Sequence, residues 1–162
     1  QRVLRRPAPR HRAVVIGYGP TGRTVVRLLR DNDIAPTVVE LNMDAVRVLR
    51  DQDIDAVYGD ATRPEILGAA RIASADILIL GSAGMTDSAE VIRSARDANP
   101  DVRVLARASY LRDVPALKKA GADAVYSGEG EVEYWLSRRL PGEGVVGDRN
   151  YNSLDLVWRK RY

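Results

Sequence analysis

Gly17-Tyr18-Gly19-Pro20-Thr21-Gly22 stands between an apolar run and a helical pattern, and that placement limits the possible folds. Ala13-Val14-Val15-Ile16 before it suits a buried strand. Residues 21–30 after it place Val25, Val26, Leu28 and Leu29 at helical spacing. Eighteen residues beyond Gly22, the run Val38-Val39 ends in Glu40. Strand, glycine loop, helix, strand and acid in this order form a dinucleotide fingerprint. The three glycines meet different steric demands. Gly17 permits a tight turn, Gly19 lets backbone approach a phosphate, and Gly22 lets the helix lie close to the strand. The unpaired N–H groups and dipole at the helix start favour an anion. Glu40 is placed to accept hydrogen bonds from both hydroxyls of an adenosine ribose.

The same alternation continues along the chain. Strand patterns cover 13–16, 37–41, 56–58, 77–80, 103–106 and 124–126. Helical patterns cover 21–30, 43–50, 64–70, 87–98, 111–120 and 131–139. This predicts an α/β fold, a Rossmann-like doubly wound sheet of six parallel strands in the order 3-2-1-4-5-6. Thr62-Arg63-Pro64-Glu65 reads as a capping box with Thr62 as N-cap, and Asp87 and Glu90 repeat the spacing. Gly121 sits where a C-cap glycine belongs. Residues 1–12, with Pro7 and Pro9, read as a linker, 13–139 as the nucleotide-binding domain, and 140–162 as a tail.

Charge supports this division. The chain of 162 residues carries a formal +3, but residues 1–12 hold five arginines and no acid. Residues 138–162 add six basic and three acidic groups, so the middle of the chain is net acidic. A nucleic-acid-binding domain carries its positive charge on the folded part, so nucleic acid is not the expected partner. The basic ends read either as solvated tails or, at the N-terminus, as a juxtamembrane linker on the cytoplasmic side of a membrane span. The chain begins at Gln1 rather than Met, and is expected to be a piece of a longer protein. No apolar run approaches the roughly 20 residues needed to span a bilayer.

A ligand on such a sheet lies at the carboxyl ends of the strands, at the switch between the first and fourth. Besides the glycine loop, Glu40-Leu41-Asn42, Gly59-Asp60-Ala61-Thr62 and Gly81-Ser82-Ala83-Gly84-Met85 reach that edge. Asp60 either accepts from an adenine amino group or stays solvated. The first cation after Glu40 is Arg47, about two turns on if helical, which disfavours the 2′-phosphate of NADP. Catalytic chemistry is poorly provided. The one histidine, His11, falls in the basic linker, where a solvated role is expected. There is no Tyr-x-x-x-Lys pair, no cysteine, and no Gly-Lys-Ser/Thr in the loop. The alternative to a binding domain is a fragment of an NAD-dependent oxidoreductase lacking its catalytic lobe.

Together with Ala106-Arg107-Ala108 and Ala120-Gly121-Ala122-Asp123, these motifs resemble an RCK domain, also called KTN or TrkA-N. The chain is similar to the cytoplasmic regulatory domains of Kef-type monovalent cation:proton antiporters. The resemblance implies a homodimeric sensor rather than an enzyme. It would bind NAD(H) or an adenine nucleotide and gate a potassium or cation:proton antiport protein of the cell membrane. Carried over by position, Gly17, Gly19, Thr21 and Gly22 would hold phosphate, Glu40 the ribose, and Asp60 with Ala61 the adenine edge, with Ser82 and Ala83 opposite. Arg107 would reach a phosphate or a dimer partner, or else form a structural ion pair. Pro20 stands where relatives often carry Arg. It offers neither a cation nor an N–H, which places AMP, ADP or NAD(H) ahead of ATP.

Overall fold

A computed structural model of the chain describes residues 11–81, 85–127, 132 and 136. Six strands, β1 (His11–Ile16), β2 (Ile34–Glu40), β3 (Asp55–Tyr58), β4 (Ile77–Leu80), β5 (Arg103–Arg107) and β6 (Ala124–Tyr126), form one sheet. All pairs are parallel and the order is β3-β2-β1-β4-β5-β6, as expected. Helices α1 (Pro20–Asp31), α2 (Met43–Asp51), α3 (Pro64–Ala69), α4 (Met85–Ala98) and α5 (Val114–Ala120) make the crossovers.

Strict alternation along the strands builds two cores. Val14, Ile16, Leu78, Leu80, Val104 and Ala106 pack under α3, α4 and α5 with Val91, Ile92 and Leu117. Ala13, Val15, Ile77, Ile79 and Leu105 face the other way, against Val25, Val26 and Leu29 of α1. With both faces covered, the central strands read as unbroken apolar runs. Val132 and Leu136, one helical turn apart, are buried in the second core with Tyr126. The rest of the expected helix over 131–139, the tail at 140–162, and Ser82 and Ala83 lie outside the described residues.

Several boundaries differ from the sequence reading. β1 starts at His11, two residues inside the segment read as linker, because His11 and Arg12 pair with Ile34 and Ala35. Asp76 fastens this end, its carboxylate accepting the Arg12 N–H at 2.9 Å. β2 correspondingly starts at Ile34 and contains Pro36. Glu40 accepts from Gly59 across the β2–β3 side, so by alternation Pro36 presents its missing N–H there too. β3 begins only opposite Thr37, and no ladder bond is lost. The 111–120 helix splits into a 3-10 turn, Leu111–Asp113, and α5, which carries Pro115 in its first turn. Gly121 ends α5 at φ 114°, as a C-cap glycine should.

The capping box is not formed. Arg63, not Thr62, is the N-cap of α3, and no side chain caps it. The Thr62 hydroxyl instead donates to Asp60 at 2.8 Å, and its N–H donates to the same carboxylate oxygen at 2.9 Å. Asp60 closes a turn of its own and captures the group the cap required. α4 begins at Met85, so Asp87 lies inside its first turn rather than at its cap.

Candidate functional site

The carboxyl edge of β1 is shaped by the three glycines of the loop. Gly17 turns the chain at φ 91°, a left-handed conformation that side chains disfavour. Gly22 presses on that turn. A Cβ at Gly22 would stand 2.3 Å from the Gly17 carbonyl oxygen. Gly19 differs from both, because a Cβ there would meet nothing within 4 Å. Gly19 is the N-cap of α1, no side chain caps the helix, and no acid lies in its first turn. Pro20 opens the helix, so the first-turn N–H donors are those of Thr21 and Gly22. A cationic dipole end therefore faces open space over Gly19, the cradle a phosphate fits.

Glu40 ends β2 beside this loop, and the fold fixes its carboxylate from both sides. One oxygen accepts the Tyr18 N–H at 2.7 Å, and the other accepts the Asn42 N–H at 3.0 Å. Each oxygen keeps a further lone pair for an outside donor. The Asn42 side chain in turn caps α2, accepting from Asp44 and Ala45.

Two hollows flank Glu40. The inner one, about 150 Å³, is bordered by Ile16, Gly17, Val39, Leu41, Gly59, Asp60, Ala61 and Thr62. Its apolar walls and polar rim suit a flat ring carrying an amino group. Asp87 and Val91 of α4 complete it, and the sequence reading missed both. Their i, i+4 spacing just after the switch-point loop was the available signal. The Asp60 carboxyl lies below its ordinary value of 3.8, chiefly through the Thr62 N–H and then through the Thr62 hydroxyl. It is an anion at neutral pH and accepts hydrogen bonds only.

The outer hollow, about 510 Å³, is bordered by Tyr18, Gly19, Arg23, Glu40, Asn42 and Val48 among others. Arg23 lies over the Tyr18 ring, 5.6 Å from its centre. The surroundings of Glu40 are therefore not free of cations, as chain distance suggested. Arg23 comes from α1, while Arg47 is drawn to Asp44 at 3.5 Å. Arg107 ends β5, borders neither hollow, and donates weakly from Nη1 to the Gly81 carbonyl at 3.4 Å. His11 is not solvated. It is half-buried at the amino end of β1, with Nδ1 3.7 Å from Asp76. Among the described residues there is no cluster able to hold a metal ion, and no helix long and apolar enough to cross a membrane.

The sheet order agrees with the comparison to known proteins. The TrkA-N domain model matches residues 13–128, and the chain belongs to that family. It is 34% identical over 139 residues to the Escherichia coli K12 protein named "Putative cation/proton antiporter YbaL", covering 83% of this chain and 25% of that protein. It thus spans about a quarter of that relative's length. The crystal structure of the TrkA-N domain of the E. coli inner membrane protein YbaL superposes with a TM-score of 0.69 at 33% identity, covering 78% of this chain and 93% of that one. The GsuK channel bound to NAD matches with a TM-score of 0.63 at 25% identity, over 76% and 24% of the two chains. GsuK bound to ADP gives 0.65 at 25% identity, over 78% and 35%. The Shewanella denitrificans Kef C-terminal domain in AMP-bound form shares the fold, with a TM-score of 0.64 at 22% identity over 78% and 77%.

Proposed function

We propose that this chain is a nucleotide-sensing regulatory domain that binds NAD(H) or an adenine nucleotide and biases the gate of a membrane cation-transport protein. The observation that carries the reading is the Glu40 carboxylate, fixed from both sides beside an uncapped helix start. In this reading the ribose hydroxyls bond Glu40. The first phosphate sits over Gly19 on the N–H groups of Thr21 and Gly22, and the base enters the inner hollow against Asp60 and Ala61. A 2′-phosphate would confront the Glu40 carboxylate, so NADP is disfavoured despite Arg23. Relatives in cation transport support a regulatory rather than catalytic role. In this reading the domain lies on the cytoplasmic side as a homodimer, joined to a transmembrane transport domain.

The test is calorimetric titration of the purified domain with AMP, ADP, ATP, NAD⁺, NADH and NADPH. Glu40→Gln removes the charge and turns an amide N–H toward one backbone donor. It is expected to weaken the preferred ligand by about 1–3 kcal/mol. A melt without ligand separates loosening of the loop from loss of contact. Unchanged affinity in Glu40→Gln would remove the ribose assignment, and no binding by the wild type would remove the nucleotide reading.

A further inference from the structure

Arg12 directs its hydrogen bonds to one corner of the fold, at the end of the sheet opposite the two hollows. Its Nη1 donates to the Ser74 hydroxyl at 2.7 Å, and its Nη2 donates to the Ala70 carbonyl at 3.4 Å. Its backbone holds the same corner. The N–H donates to the Asp76 carboxylate, and the carbonyl accepts the Asp76 N–H, each at 2.9 Å. Arg12 therefore fastens residues 70–76 to the start of β1, the point at which residues 1–10 lead into the sheet.

That corner is the far end of the segment that borders the inner hollow. Gly59, Asp60, Ala61 and Thr62 line the hollow, and α3 follows them directly. Turn and helix are locked together. The Asp60 carbonyl accepts the Arg63 N–H at 3.1 Å. Ile66 fills the space beside Gly59, where a Cβ would stand 2.5 Å from its Cδ1. α3 has six residues, so it reaches about 9 Å from the hollow toward the corner. After Ala70 the chain turns at Arg71, with φ 61°, into the 3-10 turn Ile72–Ser74. Asn99, just past α4, braces this corner by donating to the carbonyls of Ile72 and Ala75 at 3.0 and 2.9 Å. Leu67, Ala70 and Ile72 are buried. A segment packed in this way shifts as one piece, because close-packed interiors do not deform continuously.

An unbroken series of bonds and packed atoms thus joins the base side of the hollow to the first strand's entry. Coupling between distant sites travels through contiguous networks of this kind, and a measured coupling is its proof.

We propose that Arg12 is the output clamp of the domain: occupancy of the inner hollow displaces α3 and residues 70–76, and Arg12 passes the displacement to residues 1–10. The proposal rests on the nucleotide reading above, and adds to it the route from bound ligand to the leading segment. An Arg12 that merely satisfied the carbonyls after α3 would support the fold and pass nothing on. The chain has no cysteine, so Ala8→Cys provides a single attachment point for an environment-sensitive fluorophore. Labelled domain is titrated with AMP, ADP and NAD⁺ in turn, and calorimetry on the same samples measures binding. Saturating nucleotide changes the emission of the label at position 8 and leaves a control label at Lys119→Cys, on α5, unchanged. Ser74→Ala and Arg12→Gln each remove more than half of that change. Affinity stays within about 2-fold in both, since neither residue borders a hollow. Melting curves establish folding, and Ser74→Ala, which deletes one exposed hydroxyl, carries the test alone if Arg12→Gln does not fold. A label at position 8 that stays silent while calorimetry shows binding overturns the proposal and leaves the nucleotide reading standing. A response that survives in the variants overturns it too, as does an equal response at Lys119→Cys. If none of the three nucleotides binds, both readings fall together.

Discussion

Gly19 and Gly22 are three residues apart in one motif, yet the structure assigns them opposite sensitivities. Replacing Gly22 with Ala drives a methyl group to 2.3 Å from the Gly17 carbonyl oxygen and 3.0 Å from its carbon. Ordinary carbon–oxygen approach is about 3.3–3.6 Å, so loop and helix must part by about 1 Å. Both partners are backbone, and no rotamer can relieve the contact. Overpacking of this kind costs about 1–3 kcal/mol, and the upper end applies here. Ala in place of Gly within a helix returns about 1 kcal/mol. The net is about 2 kcal/mol of lost stability, or a fall in Tm of roughly 6–12 °C for a domain of this size. Replacing Gly19 meets no atom within 4 Å, and its φ of −79° suits any residue. Ala is a poorer N-cap than Gly by about 0.5 kcal/mol, and the stiffer unfolded chain returns a similar amount. Gly19→Ala should therefore melt within about 2 °C of wild type. Its methyl, however, fills the space assigned to phosphate, and should weaken nucleotide binding by at least ~1.4 kcal/mol, a factor of ten. Thermal melts with and without about 1 mM nucleotide read both effects, since a ligand raises Tm according to its affinity for the folded state. If Gly19→Ala keeps the full ligand-induced shift, the phosphate is not over Gly19. If Gly22→Ala melts like wild type, the packing argument is wrong.

Two further outcomes can be stated. The Asp60 carboxyl, held down by Thr62, should titrate below 3.8 when followed by NMR, and Thr62→Val should raise its midpoint. A folded value below the unfolded one means that Asp60 contributes stability at neutral pH and loses it as pH falls through the folded pKa. A wild-type midpoint at or above 3.8 would contradict the turn described here. Arg96 donates to the carbonyls of Val102 and Gly121 and to the Asp123 carboxylate, at 2.5, 2.7 and 2.7 Å. Arg96→Ala should cost about 2–4 kcal/mol in urea unfolding with m unchanged, and Arg96→Lys should recover less than half, having no planar fork. A loss below about 1 kcal/mol would show that water replaces these bonds readily.

The strands were legible because burial on both faces leaves an unmistakable apolar run, as in Ile77–Leu80, matched residue for residue. The loop was legible because its glycines each answer a steric demand. What stayed hidden depends on contacts between segments distant in sequence. Thr62 fits a capping pattern, yet Asp60 competes for its hydroxyl and wins. Nothing in the local sequence around Arg96 and Asn99 marks their partners. In the fold Arg96 ties α4 to the α5–β6 turn, and Asn99 donates to the carbonyls of Ile72 and Ala75. Arg23 lies seventeen positions before Glu40 but borders the same hollow. The start of β2 was missed because Pro36 argues against a strand until one sees that β3 does not reach it.

Gating needs a ligand that binds two arrangements unequally, and the setting of Glu40 indicates where such a difference can arise. Its carboxylate joins the glycine loop, through Tyr18, to Asn42, whose side chain starts α2. A ribose on the remaining lone pairs would strengthen that junction only while both loops keep their present separation. If one loop moves, a ribose bond to Glu40 is lost. One charge-assisted hydrogen bond is worth about 1.5–3 kcal/mol, or roughly 10- to 150-fold in affinity. A bias of that size shifts a balanced two-state gate almost completely, whereas a ligand that bound both arrangements alike would shift nothing however tightly it bound. If the domain gates as proposed, the residues that first carry the signal are the ones that share an oxygen with the ligand, and not merely those that surround it.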